Sequence, residues 1–374
     1  MSLAFTSVKG TEPYKNTSLS FEERTNDLVS KLTLEEKVQL MRYDSPEINR
    51  LGIPAYNWWN ECLHGVARSG LATVFPQAIG MAAMWDDTMM FNIADAISDE
   101  ARAKYNDYTR RDKRGIYQGL TFWTPNINIF RDPRWGRGME TYGEDPFLTA
   151  GMAIPFIKGL QGNDPKYLKL VATAKHFAVH SGPEATRHSF DVWPNDFALA
   201  ETYFPHFKRT VTEAGVYSVM CAYQRFKGIP CCGNQFLENV LRNNWNFKGY
   251  IVSDCWAIMD FYDPKAHHIT NSPEEAAAMA VKAGTDLNCG ITYANSLVNA
   301  VKKGLVSENE IDTSVKRLVL ARMKLGQFDP DDEVPFSKIP LKVVDNEEHR
   351  RLALEAARKS IVLLENPNNL LPFT

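Results

Sequence analysis

Six short, nearly continuous apolar runs, each followed by a segment of helical periodicity, constrain this chain more than any other feature. They occupy residues 73–81, 121–129, 170–174, 216–222, 250–253 and 285–289. Runs this uniformly apolar suit strands buried on both faces, as in a parallel sheet. The intervening segments 87–104, 146–160, 199–214, 236–245 and 273–283 carry apolar residues three and four apart, the stripe of an amphipathic helix. Such alternation predicts α/β architecture. A dinucleotide-binding doubly wound sheet would need a G-x-G-x-x-G turn after an early strand, and none is present. A (β/α)8 TIM-type barrel over residues 21–326 fits better. It requires two further strands, expected near residues 55–59 and from Gly304 onwards.

The pattern changes after Gly326. Residues 327–345 hold Pro330, Pro335 and Pro340 beside Asp329, Asp331, Asp332 and Glu333, which reads as an extended linker. Residues 347–359 are helical in pattern, and 360–364 form an apolar run of strand type. One helix and one strand do not make a domain. Residues 346–374 are therefore expected to begin a second, truncated α/β domain, with residues 1–20 as an N-terminal arm.

Composition narrows the function. Hydrophobic residues are 44% and charged residues 23% of 374, which excludes a disordered chain. A formal net charge of -3 offers no basic stripe for nucleic acid. No apolar run nears the ~20 residues that span a bilayer. Residues 1–10 show no basic start or apolar core of a leader. The six cysteines, Cys62, Cys221, Cys231, Cys232, Cys255 and Cys289, contain no C-x-x-C pair, and most are expected to be buried free thiols.

In parallel barrels the active site lies at the carboxyl ends of the strands. The apolar runs end in or near Glu61, Arg137, Lys175, His176, Tyr223 and Asp254. Each has a plainer reading. Asp254 suits a helix cap, and Tyr223 a core residue with a bonded hydroxyl. Their convergence on one rim is harder to assign to packing. Trp58, Trp59, Trp123, Trp135 and Trp256 flank the same runs, and indole faces stack on the C–H faces of sugars. A metal-dependent hydrolase lacks support: there is no H-E-x-x-H, and His267-His268 has no ligand set around it. No cofactor or metal is expected.

Several blocks occur in order along the chain: Trp58-Trp59-Asn60-Glu61-Cys62-Leu63-His64-Gly65, Arg131-Asp132-Pro133-Arg134-Trp135-Gly136-Arg137-Gly138, Tyr142-Gly143-Glu144-Asp145-Pro146, Lys175-His176-Phe177 and Gly249-Tyr250-Ile251-Val252-Ser253-Asp254. With these the chain resembles the first domain of glycoside hydrolase family 3. The resemblance implies a retaining, exo-acting β-glycosidase with Asp254 as nucleophile. It implies that Glu61, Arg137, Lys175 and His176 bind hydroxyls of the terminal sugar, and that Tyr223 contacts the nucleophile. Trp256 stands one place later than the family's usual tryptophan, because Cys255 intervenes. A retaining enzyme also needs a general acid near the nucleophile. Most of the family supplies it from the second domain. One branch uses an aspartate–histidine dyad, whose positions here are Thr186 and His188. The aspartate is missing, so His188, with Arg187, reads as a sugar contact or a structural residue.

The substrate implied is an oligosaccharide or aryl β-glycoside, with β-xylosidase ahead of β-glucosidase. The expected partner is the protein's own C-terminal domain. Glycan binding without turnover is the alternative from another class. Family resemblance favours a periplasmic or secreted bacterial protein, while oligomeric state stays open.

Overall fold

The computed structural model describes residues 12–373. The leader reading of residues 1–10 and much of the proposed arm lie outside them. The strand Val171–Phe177 is buried at every position. It pairs in parallel with Thr121–Phe122 on one side and with Ser218–Cys221 on the other. Tyr250–Ser253 joins in parallel beyond Ser218–Cys221. Strand order thus follows chain order, as helical crossovers between neighbouring parallel strands produce. Isolated parallel bridges continue the sheet, Asn60 to Phe122 at one edge and Val252 to Leu287 at the other. Asn288 then bridges to Arg42, which precedes an antiparallel pair of Asp44–Ser45 and Tyr56–Asn57. The fold is α/β with a parallel sheet.

Local chemistry starts and ends the helices. Asp86 caps Asp87–Arg110 by accepting from the Met89 N–H, and Asp145 caps Pro146–Gln161 through Leu148, satisfying donors that have no partner within the helix. These two helices pack so closely at Gly159 that a Cβ there would lie 2.6 Å from the Phe91 carbonyl oxygen.

Five sequence expectations need correction. Residues 73–81 form no strand: Thr73 gives its N–H and hydroxyl to the Glu100 carboxylate at 3.0 and 2.6 Å, Pro76 has no N–H to give, and Ala78–Ala82 is helical. Residues 285–289 make only the single bridge at Leu287, followed by the one at Asn288. From Gly304 onwards there is no strand among the described residues either; Ser307 and Glu310 form a capping box that opens the helix Glu308–Lys324. The expected helix 199–214 divides at Pro205 into a π-helical turn and the helix Pro205–Thr212. Similarly, Gln235–Asn239 passes into a π-helical turn at Val240–Asn244.

The segment read as a linker is strapped down. The Asn106 amide donates to the carbonyls of Phe336 and Ile339 at 3.0 and 3.1 Å. Glu100 also accepts from the Asp345 N–H at 2.9 Å and from His349 Nδ1 at 2.8 Å. The helix Glu347–Ser360 follows. The apolar run after it forms no strand, and Leu364 is 92% exposed.

The cysteine expectation is also overturned. Cys221 is bonded to Cys232, and Cys255 to Cys289, leaving Cys62 and Cys231 as buried thiols. Cys221 ends the strand Ser218–Cys221 and meets Cys232 11 residues on, while Cys255 and Cys289 meet across 34 residues; neither spacing is a recognised redox or metal motif. Among the described residues no helix is long and apolar enough to cross a membrane.

Candidate active site

A cavity of about 350 Å³ opens at the carboxyl ends of the parallel strands, within the size range of small-ligand sites. All eight residues singled out from sequence line it: Glu61, Arg137, Lys175, His176, His188, Tyr223, Asp254 and Trp256. Val171–Phe177 delivers Lys175 and His176, Tyr223 follows Ser218–Cys221, and Asp254 follows Tyr250–Ser253. Trp59 and Trp123 complete the wall and stack on each other with ring centroids 5.2 Å apart. Trp58 and Trp135 do not reach it. Trp58 is fully buried and donates its indole N–H to Ser45, and Trp135 packs edge-on to His180.

Asp254 is the buried centre. Its Oδ1 accepts the Cys255 N–H at 2.8 Å, while its Oδ2 is buried without a protein hydrogen bond. Burial pushes the carboxyl above the ordinary aspartate value. Arg137 and Lys175 pull it back, helped by the Cys255 N–H and the Tyr223 hydroxyl. Burial and the nearby Asp254 charge raise Tyr223 in turn, which keeps that hydroxyl protonated as a donor.

His176 Nε2 lies 3.4 Å from Asp254 Oδ2. Burial, with Arg137 and Lys175 next, holds this imidazole well below its ordinary value, so the contact is not an ion pair. Asn128 fixes the ring. Its side-chain amide lies 3.0 Å from His176 Nδ1, and its carbonyl oxygen accepts the His176 backbone N–H at 2.7 Å. An amide donating at Nδ1 leaves the ring proton on Nε2, toward the carboxylate.

Arg137 is held by Glu140 through two 2.8 Å bonds, Nε to Oε1 and Nη2 to Oε2, the fork geometry that fixes a guanidinium in its plane. Burial works against the charge on Arg137, yet Glu140 holds it above its ordinary value. Asn126 donates to Glu140 Oε2 at 3.2 Å. Glu61 accepts the Trp59 indole N–H at 3.2 Å and lies 3.5 Å from Lys175 Nζ. His188 donates from Nδ1 to the buried Asp260 at 2.8 Å and packs edge-on to Tyr223. The missing dyad aspartate at position 186 is thus replaced, as a histidine partner, by a residue from another loop.

Sequence reasoning missed Asn128, Glu140 and Asp260. Glu140 stands three residues after Arg137 and could have been found as its i,i+3 partner. Asn128 and Asp260 meet their histidines across 48 and 72 residues, and no local pattern marks them. Cys255 also lines the cavity, tied through its disulfide to Cys289.

Fold and site together describe an α/β protein whose parallel sheet presents one buried carboxylate, ringed by cations and indoles, at its strand ends. The family model described as "Glycosyl hydrolase family 3 N terminal domain" matches residues 20–321, and the chain belongs to this family. A relative named "Xylan 1,4-beta-xylosidase" from Xylanibacter ruminicola is 50% identical over 371 residues, covering 97% of this chain and 43% of the relative. "Probable beta-D-xylosidase 7" from Arabidopsis thaliana is 42% identical over 380 residues, covering 96% and 48%. Among solved structures, a GH3 exo-beta-xylosidase (XlnD) in complex with a xylobiose aziridine activity based probe superposes with a TM-score of 0.89 at 35% identity, covering 97% of this chain and 48% of that one. A beta-glucosidase from Listeria innocua gives 0.80 at 28%, covering 94% and 53%. The chain spans about half the length of the curated relatives it matches.

Proposed function

We propose that Asp254 is the nucleophile of a retaining, exo-acting β-glycosidase that releases terminal β-D-xylosyl residues from oligosaccharides. The observation that carries this reading is the environment of one carboxylate. It is buried at a strand end, has an unpartnered oxygen, and is kept ionisable by Arg137 and Lys175. Attack on the anomeric carbon forms a glycosyl-enzyme intermediate, which water then hydrolyses. Glu61, Arg137, Lys175 and His176 supply charged and neutral groups that suit sugar hydroxyls, and Trp59, Trp123 and Trp256 supply indole surface. His188 and Tyr223 line the same cavity and pack on each other.

The general acid belongs, in this reading, to a second α/β domain. Glu61, the other carboxylate lining the cavity, is engaged by Trp59 and Lys175. The exposed run after Ser360 and the doubled length of the relatives support residues 346–374 as the start of that domain, with 327–345 as the connection. The pairing path from Asn60 through Leu287, Asn288 and Arg42 to the Tyr56–Asn57 pair supports a closed barrel of TIM type over 21–326, with an antiparallel first hairpin.

The test is direct labelling. A 2-deoxy-2-fluoro-β-D-xylosyl fluoride should modify the peptide containing Asp254, read by digestion and mass spectrometry. A label on any other peptide overturns the assignment.

The names of the curated relatives described above favour xylose, while structural similarity extends to a beta-glucosidase. Glu61 is the residue to test, because it lines the cavity and is one methylene longer than an aspartate would be at the same position. Glu61→Asp should raise the ratio of aryl β-glucoside to aryl β-xyloside turnover about tenfold, the discrimination that one methylene carries in a snug pocket. An unchanged ratio would remove Glu61 as the selector.

A further inference from the structure

Asp254 stands at the start of a short turn, and one residue from the next segment of the sheet fastens that turn at three points. Cys289 donates its backbone N–H to the Ser253 hydroxyl oxygen at 3.0 Å. Its carbonyl oxygen accepts the Trp256 N–H at 2.6 Å. Its sulfur is bonded to Cys255. Residues 253, 255 and 256 are thus all held by Cys289, with Asp254 between the first two. The residues just before Cys289 add to the hold on Ser253. The Leu287 carbonyl accepts the Ser253 N–H at 2.9 Å, and the Asn288 amide donates to the Ser253 hydroxyl at 3.2 Å.

The turn needs such a hold. Trp256 has a φ of +63°, a left-handed conformation that a bulky side chain keeps only where its surroundings impose it. The turn also orients the nucleophile, because the Cys255 N–H donates to Asp254 Oδ1 at 2.8 Å. A shift of Cys255 therefore shifts the carboxylate. The groups suited to sugar hydroxyls are held elsewhere: Lys175 and His176 on the strand Val171–Phe177, Arg137 by Glu140, and Glu61 by Trp59. The Cys221–Cys232 link differs from the Cys255–Cys289 link. Cys221 accepts the Asp254 N–H at 3.2 Å through its backbone carbonyl, where Ser218–Cys221 pairs with Tyr250–Ser253. That bond belongs to the sheet and not to the side-chain link.

We propose that the Cys255–Cys289 disulfide positions the nucleophile, with Cys289 as the positioning residue, so that opening the link slows attack of Asp254 on C1 without weakening sugar binding. The inference rests on Asp254 being the nucleophile. It makes the glycosylation step sensitive to reduction. A dithiol such as dithiothreitol opens the link in two exchanges. One reagent thiolate attacks the Cys255 sulfur, the bond to Cys289 breaks, and Cys289 leaves as a thiolate that takes up a proton. The second reagent thiolate displaces Cys255 in the same way. The protein gains two electrons and two protons, and the reagent leaves as a cyclic disulfide. Cys255 lines the cavity, whereas Cys289 is fully buried.

The test follows labelling of this chain by 2-deoxy-2-fluoro-β-D-xylosyl fluoride against probe concentration and pH. An Asp254 oxygen bonds to C1 and fluoride leaves with the electron pair, so no proton donor is required. In Cys255→Ala/Cys289→Ala the maximal labelling rate should fall about tenfold, while the concentration giving half that rate stays within about twofold. The acidic limb of the rate should also move to higher pH. Burial raises the Asp254 carboxyl, and the Cys255 N–H is one of the groups that pull it back. Arg137, Lys175, Tyr223 and His176, which also face it, keep their places. Wild type that is folded first and then reduced, with its new thiols mapped by iodoacetamide, should match the variant, which separates positioning from misfolding. Cys221→Ala/Cys232→Ala should lose stability and keep both the maximal rate and the limb. The proposal is overturned if Cys255→Ala/Cys289→Ala labels at the wild-type maximal rate or keeps the wild-type limb. It is equally overturned if wild type with mapped thiols at Cys255 and Cys289 labels like the oxidised protein, or if the two double variants change alike. If the oxidised wild type is not labelled at Asp254, the nucleophile assignment fails and this inference fails with it.

Discussion

Asp254→Asn should lower hydrolysis of aryl β-xylosides on the order of 10⁴-fold and abolish labelling by fluoroxylosyl probes. The amide cannot attack C1, while the hydrogen-bonding groups around it remain. The same change should make the folded protein more stable at neutral pH. Burial raises the Asp254 carboxyl above its ordinary value, so the folded state holds the proton to higher pH than the unfolded state does. Between the two pKa values the folded state binds more protons, and stability falls as pH rises through that window. At pH 7 the wild-type protein therefore carries the full cost of an ionised buried carboxylate. Asparagine removes it, and Tm should rise by roughly 2 °C at pH 7. The difference should disappear well below the unfolded aspartate value of about 3.9, where both states are protonated. Differential scanning calorimetry across pH measures both limits. A variant that loses activity and also loses stability at neutral pH would identify Asp254 as a structural residue.

Six of the eight site residues were legible because strands of a buried parallel sheet are short apolar runs, and the polar residues ending such runs stand on one rim; Trp256 was read as an indole flanking a run, and His188 only through the resemblance. Tyr250–Ser253 is the clearest case: its observed bounds are those of the apolar run, and Asp254 comes next. The same reasoning misled at residues 73–81, where apolar composition concealed that Thr73 gives its N–H to Glu100 instead of a neighbouring strand. It also missed whatever depends on distant parts of the chain meeting. Asn128 orients His176 from the segment after the strand Thr121–Phe122, Asp260 holds His188 from the loop after the nucleophile, and the Cys255–Cys289 link joins the nucleophile's neighbour to the next segment of the sheet. Spacing cannot reveal such pairs, because the fold creates the proximity. Trp58 and Trp135 show the converse, as residues adjacent in sequence to the site whose side chains turn into the core.

Glu140 touches none of the groups placed around the sugar except Arg137, yet its loss should be the second largest effect. It holds the Arg137 guanidinium in two bonds, and Arg137 is the first of the charges that offset the burial of Asp254. Glu140→Gln keeps the shape but gives up the carboxylate, leaving the Arg137 charge without its countercharge and free to turn from the sugar. Charge pairs of this kind, when one partner is removed, cost about 3–5 kcal/mol, and even partial expression of that in the transition state lowers kcat/KM about 100-fold. A stability defect alone would reduce the amount of active enzyme and leave the pH profile in place. The positioning role moves the profile. With Arg137 displaced, less positive potential reaches Asp254, its carboxyl rises further, and the acidic limb of kcat/KM shifts to higher pH. Glu140→Asp, which restores the charge at a shorter reach, should return part of the rate and move the limb back toward its wild-type position. Profiles for wild type, Glu140→Gln and Glu140→Asp that share one acidic limb would show that Arg137 does not depend on Glu140 for its action on the nucleophile.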